Sequence, residues 1–155
     1  MTDIVDRATR SRMMSAIRGR DTVPERKLRI HLHAMGFRYR TASKGLRGRP
    51  DIVLRKWNAV IFVHGCFWHR HAKCRFTTTP RSNASFWNAK FRENLLRDSA
   101  TTSHLRKLGW RVAVVWECSL RTEAGVQTAA AKVARWLAST KATLNIGAGE
   151  RFSDR

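Results

Sequence analysis

Residues 64–74, His-Gly-Cys-Phe-Trp-His-Arg-His-Ala-Lys-Cys, hold half of the chain's 6 histidines and all but one of its 3 cysteines. Imidazole nitrogen and thiolate sulfur are the donors that structural zinc prefers. Crowding at this density points to a metal site. Cys66, His71 and Cys74 follow the spacing Cys-x4-His-x2-Cys. A closed tetrahedral site needs a fourth ligand. His64 and His69 are the near candidates, and Cys118, after an apolar strand, is the distant one. The bland alternative is a buried thiol at Cys118 and solvated histidines; the local clustering favours the metal.

A second chemistry starts at Asp51, which follows Pro50 at the mouth of an apolar strand. An acid after proline often only caps a turn. It can also hold a hard cation, since Mg²⁺ takes one or two carboxylates, a carbonyl and retained waters. The main-chain oxygen of Val63 is a candidate second donor. Phosphodiester hydrolysis needs charge stabilisation and a base that activates water. His64 and His69 are candidate bases, because imidazole titrates near neutrality.

Phe67 and Trp68 sit between the presumed ligands. Such pairs are commonly core, yet aromatic rings also wedge between base steps of a bent duplex. Met14 could do the same from the N-terminal arm, although packing of a loose helix is its commoner use. Glu25 stands three residues after Thr22, where a capping box alone would explain it. Asp98 follows Arg97 and reads, from spacing, as ordinary charge on a helix surface.

The elements that must position these groups are expected as follows. A helix begins at Thr22-Val-Pro-Glu25, carries Leu28, Leu32 and Met35 on one stripe, and stops at Gly36. Residues 37–40 alternate and suggest a short strand. Residues 51–54 and 59–64 suggest two strands joined by a turn centred on Trp57 and Asn58. That centre pairs residues whose numbers total 115, which sets Asp51 opposite His64. A long helix is expected over 84–108, capped by Asn83, with Trp87, Phe91, Leu95, Leu105 and Leu108 on its apolar face. Residues 110–116 form a buried strand and 123–137 a last helix. The order is α-β-β-β-α-β-α. One domain is expected over 21–138, between a flexible basic arm (1–20) and a frayed tail (139–155).

Lys and Arg number 31 against 11 Asp and Glu, a formal charge of +20. Such an excess implies a polyanionic partner: DNA, RNA or an acidic membrane. No apolar run exceeds that of residues 59–63, far short of a spanning helix, and the N-terminus lacks the pattern of a signal peptide. A cytoplasmic location is expected, where thiols stay reduced and serve as ligands or core residues.

The segments Ala8-Thr-Arg-Ser11, Gly48-Arg-Pro-Asp51, Phe62-Val-His-Gly-Cys-Phe-Trp-His69, Gly109-Trp-Arg-Val112 and Val115-Trp-Glu-Cys118 closely resemble the very-short-patch-repair DNA mismatch endonucleases. The resemblance spans about residues 5–138, with the motifs in order. It implies a restriction-endonuclease-like α/β fold, with a mixed central sheet flanked by helices and a structural zinc. The implied activity is nicking of double-stranded DNA 5′ of the thymine in a T·G mismatch left by 5-methylcytosine deamination. By the same resemblance, Asp51 and the Val63 carbonyl bind Mg²⁺. His69 activates water with Asp98 as its orienting partner. His64 and Glu25 hold metal-bound waters or the phosphate. Cys66, His71, Cys74 and Cys118 bind Zn²⁺, and Phe67, Trp68 and Met14 intercalate. A single asymmetric lesion suits a monomer. Two departures stand out. Phe62 and His64 occupy the positions where the wider superfamily places an acid and a lysine. Two residues separate His71 from Cys74, where some relatives have one. A non-catalytic zinc-stapled DNA-binding protein and a restriction-type nuclease of the same fold are the alternatives.

Overall fold

The computed structural model describes residues 22–41 and 45–148. The expected basic arm, with Met14, lies outside these residues. The elements are α1 (Val23–Ala34), β1 (Ile52–Leu54), β2 (Ala59–His64), a single turn α2 (Cys66–His69), α3 (Ala84–Lys107), β3 (Arg111–Trp116), α4 (Glu123–Ala138) and β4 (Thr143–Ile146). One four-stranded sheet runs in the order β1-β2-β3-β4. β1 and β2 are antiparallel, whereas β2/β3 and β3/β4 are parallel. Parallel neighbours need crossovers, and α3 and α4 supply them.

Alternation along the strands divides the core between the two faces of the sheet. Ile52, Leu54, Ala59, Ile61, Ala113 and Val115 pack with Leu28 and Leu32 of α1 and with Val126, Val133 and Trp136 of α4. Val53, Val60, Phe62 and Val112 pack with Leu105 of α3. The result is a mixed sheet between two helices on one side and one on the other. It holds His64 at the C-terminal end of β2, level with Trp116 at the end of β3.

Several sequence expectations need correction. Leu54 pairs with Ala59 and Ile52 with Ile61, so paired residue numbers total 113 rather than 115. The 3-10 turn Arg55–Trp57, closed by Asn58 in the left-handed region at φ 49°, centres the reversal one residue earlier than expected. A shift of two positions preserves the face, because side chains alternate with period two. Asp51 therefore still shares a side of the sheet with His64, but it lies level with Phe62.

Residues 37–40 contribute only one bridge, Arg40 to Val53. The predicted tail carries β4, with Ile146 buried against the core, so it is not frayed over 143–146. Met35, Leu95 and Leu108 are exposed, while Asn94 and Thr101 are buried. On α3 the inward face is partly polar because it borders the site rather than the core. Neither Thr22 nor Asn83 caps a helix through its side chain.

Candidate active site and metal centre

Pairing of β1 with β2 places the start of β1 beside the end of β2. The Asp51 N–H donates to the Ile61 carbonyl at 3.0 Å. In return, the Val63 N–H donates to Asp51 Oδ2 at 2.6 Å. One carboxylate oxygen is thereby fixed by the backbone of β2. Glu25, on the first turn of α1, is buried beside Asp51, and its Oε1 accepts from the Thr22 hydroxyl at 3.2 Å. Burial pushes the Asp51 carboxyl up to about 7, against the Val63 N–H, and the neighbouring Glu25 carboxylate adds to the rise. A cation held there would favour the ionised Asp51 carboxylate.

The second half of the site comes from α2 and α3. The His64 and His69 rings stack at 3.9 Å between centroids, 8° from parallel. His69 Nδ1 donates to Asp98 Oδ2 at 2.6 Å. A carboxylate acceptor at that distance fixes the tautomer, leaving the Nε2 lone pair for a proton. Burial, reinforced by the adjacent His69, drives the His64 imidazole down to about 3, so His64 is neutral at physiological pH. Asp51, Glu25, Val63, His64, His69 and Asp98 line one open cavity of about 1060 Å³. The acid and imidazole halves expected from sequence therefore meet.

Phe67 and Trp68 also line that cavity. They form an edge-to-face cluster with Trp87 and Phe91 of α3, with centroid distances of 5.0 Å (Phe67–Trp68) and 5.3 Å (Phe67–Phe91). Both are half-buried, so they are partly packed and partly available. Asn94 donates to the Trp68 carbonyl at 3.1 Å and ties the pair to α3.

Behind this wall, Cys66, His71, Cys74 and Cys118 place one ligand atom each within 4.8 Å of one another. This resolves the choice left open by spacing: Cys118 joins the thiol cluster, and His64 and His69 belong to the other centre. His71 Nδ1 lies 3.4 Å from Cys118 Sγ and 3.7 Å from Cys66 Sγ. Burial pushes the Cys66 thiol up to about 12 and also raises Cys118, while hydrogen bonds lower Cys74. Three sulfurs and one imidazole nitrogen make the donor set of a closed tetrahedral zinc site. The loop is pinned by Thr77, whose hydroxyl donates to the His71 carbonyl at 2.7 Å.

Some contributing residues lie within the motifs quoted above but carry no role that sequence reasoning assigns. Trp116 stacks on His71 at 4.2 Å and 7°, meets His64 edge-on at 5.4 Å, and donates from Nε1 to Asn145 of β4 at 2.8 Å. Gly48, at φ 81°, lets the segment before Asp51 lie directly on Thr101 of α3. Glu117 also lines the cavity. One signal was available: Asn94, Asp98 and Thr101 fall at i, i+4 and i+7, a polar stripe along one helical face.

Comparison with known proteins gives a consistent picture. The family described as DNA mismatch endonuclease Vsr matches residues 2–75. The chain is 46% identical over 121 residues to the DNA mismatch endonuclease Vsr of Escherichia coli, covering 78% of this chain and 77% of that protein. It is 44% identical over 124 residues to a type II nicking enzyme of Neisseria meningitidis serogroup A, covering 80% and 88%. A type II nicking enzyme of Xanthomonas oryzae is 43% identical over 120 residues, covering 77% and 88%.

Proposed function

Since the chain belongs to the Vsr family of DNA mismatch endonucleases, we propose that it nicks duplex DNA on the 5′ side of the thymine in a T·G mismatch and so initiates short-patch repair. The observation that carries this reading is the cavity in which an acid pair, Asp51 and Glu25, faces an oriented imidazole, His69 held by Asp98. The sheet, with one antiparallel edge strand followed by parallel strands, supports a restriction-endonuclease-like fold.

The chemistry follows from the residues. Asp51, with the peptide oxygen of Val63, would hold Mg²⁺, and the paired carboxylates fit a hard cation. When bound, that ion neutralises charge developing on the phosphate. His69 takes the proton of the attacking water at Nε2, and Asp98 stabilises the imidazolium that forms. Neutral His64 buttresses the His69 ring, and with Glu25 it orders water or the scissile phosphate. Cys66, His71, Cys74 and Cys118 would hold Zn²⁺ and fix the loop that aims Phe67 and Trp68 at the base stack. Met14 is assigned the opposing minor-groove wedge. A nick at a single asymmetric lesion suits a monomer working on DNA in the cytoplasm. Among the described residues, no helix is long and apolar enough to cross a membrane.

The test is Mg²⁺-dependent cleavage of a T·G duplex and its fully paired counterpart, with Asp51→Ala alongside. A single nick 5′ of the mispaired thymine, lost in Asp51→Ala, is expected. Binding without cleavage in any sequence context would make the chain a zinc-stapled binder. Cleavage of both strands of paired DNA would make it a restriction-type nuclease.

A further inference from the structure

Beyond the cavity, two exposed arginines are arranged around one ring. The Arg75 guanidinium lies over Phe76 at 4.7 Å from the ring centroid, and the Arg121 guanidinium lies over the same ring at 4.0 Å. They come from separate parts of the chain. Arg75 immediately follows Cys74, and Arg121 follows the 3-10 turn Glu117–Leu120 that contains Cys118. The thiol cluster is what brings the two segments together.

Two of the arginines that stack on rings are held by the protein itself. Arg70 donates to Thr78 and Thr79, and Arg111 to the carbonyls of residues 136, 137, 139 and 141. Arg75 and Arg121 differ. Among the described residues, no carboxylate or carbonyl accepts from either, and both are exposed. Two like charges sharing one ring repel each other, and the ring quadrupole offsets only part of that. Phosphate oxyanions held at the guanidinium edges would offset that repulsion. Stacking leaves the guanidinium edges free to donate and limits the rotamer entropy lost on binding.

We propose that Arg75, Phe76 and Arg121 form a preorganised clamp for the phosphates of the DNA backbone, outside the hydrolytic cavity. The ligand chemistry is a phosphate oxyanion, and the source is the duplex backbone rather than free phosphate. Contacts of this kind position the protein without reading bases. The clamp rests on the proposed DNA substrate but not on mismatch recognition or cleavage.

The experiment is fluorescence anisotropy of a fully paired duplex without divalent metal, titrated at several salt concentrations. Each lost phosphate contact lowers the slope of log K against log salt by about 0.9. Arg75→Gln/Arg121→Gln should lower it by about 1.8, and each single variant by about half of that. Phe76→Leu keeps both charges, so binding should weaken with most of the slope retained. Arg55→Gln, in the β1–β2 turn at the opposite end of the sheet, should match wild type. Circular dichroism and zinc content establish that each variant is folded. A wild-type slope in the double variant overturns the clamp. So does uptake of inorganic phosphate, in a direct titration, by a clamp whose loss leaves the slope unchanged. Failure of wild type to nick T·G duplexes would sink the proposed function and leave this measurement intact.

Discussion

Asp98 offers a sharp test, because its contribution passes through one bond. Its Oδ2 accepts from His69 Nδ1 at 2.6 Å, and both side chains are about three-quarters buried, with 26% and 29% exposure. Hydrogen bonds to charged groups contribute about 1.5–3 kcal/mol. This one gains strength as His69 takes a proton, so most of that energy belongs to the transition state. At about 1.36 kcal/mol per decade, Asp98→Ala should lower kcat roughly 10- to 150-fold. KM should change little, since His64 still holds the His69 ring in its stack. The assay is single-turnover nicking of a T·G duplex at saturating Mg²⁺. The double variant His69→Ala/Asp98→Ala should be no slower than His69→Ala alone, because residues acting as a unit are not additive. An Asp98→Ala enzyme within threefold of wild type, or a further large loss in the double variant, would refute the assignment.

Three other outcomes are expected. Gly48→Ala combines a left-handed backbone with a clash against the Thr101 methyl and should cost about 2 kcal/mol in urea unfolding. Adding Thr101→Ala should recover part of that, and strict additivity would show that the contact is not the cause. Arg111→Met strips the C-terminus of α4 of its guanidinium donors and removes the cation–π contact with Trp136. A loss of about 3 kcal/mol is expected, and one below about 1 kcal/mol would dismiss Arg111 as a cap. Gently purified protein should carry about one zinc per chain. Chelation should lower its melting temperature by about 10 °C or more, and an unchanged melting curve would argue against a structural metal.

Much of the site was legible because its residues are adjacent in sequence. Residues 64–74 supply ligands, bases and aromatics in one stretch, and clustering of that kind survives errors in secondary structure. Asp51 was placed on the correct face despite a misplaced turn, since a shift of two residues keeps parity. Asp98 reads, from spacing alone, as surface charge, because its significance depends on what α3 packs against. β4 was missed for a related reason. Thr-Leu-Asn-Ile alternates polar and apolar residues, but over only four positions, too short a run to stand out without the edge that β3 offers. Met35, Leu95 and Leu108 satisfied a helical stripe yet face solvent. Periodicity gives a face but not which neighbours cover it.

Trp116 has one plane against His71 and one edge against His64. The thiol cluster and the imidazole pair are therefore not separable modules that selection or engineering could retune one at a time. A change of side-chain volume at either is transmitted across a single indole to the other. Variants that alter metal preference should be sought together with compensating changes around His64, and the Asn145 anchor on β4 is where slack could be introduced without touching either centre.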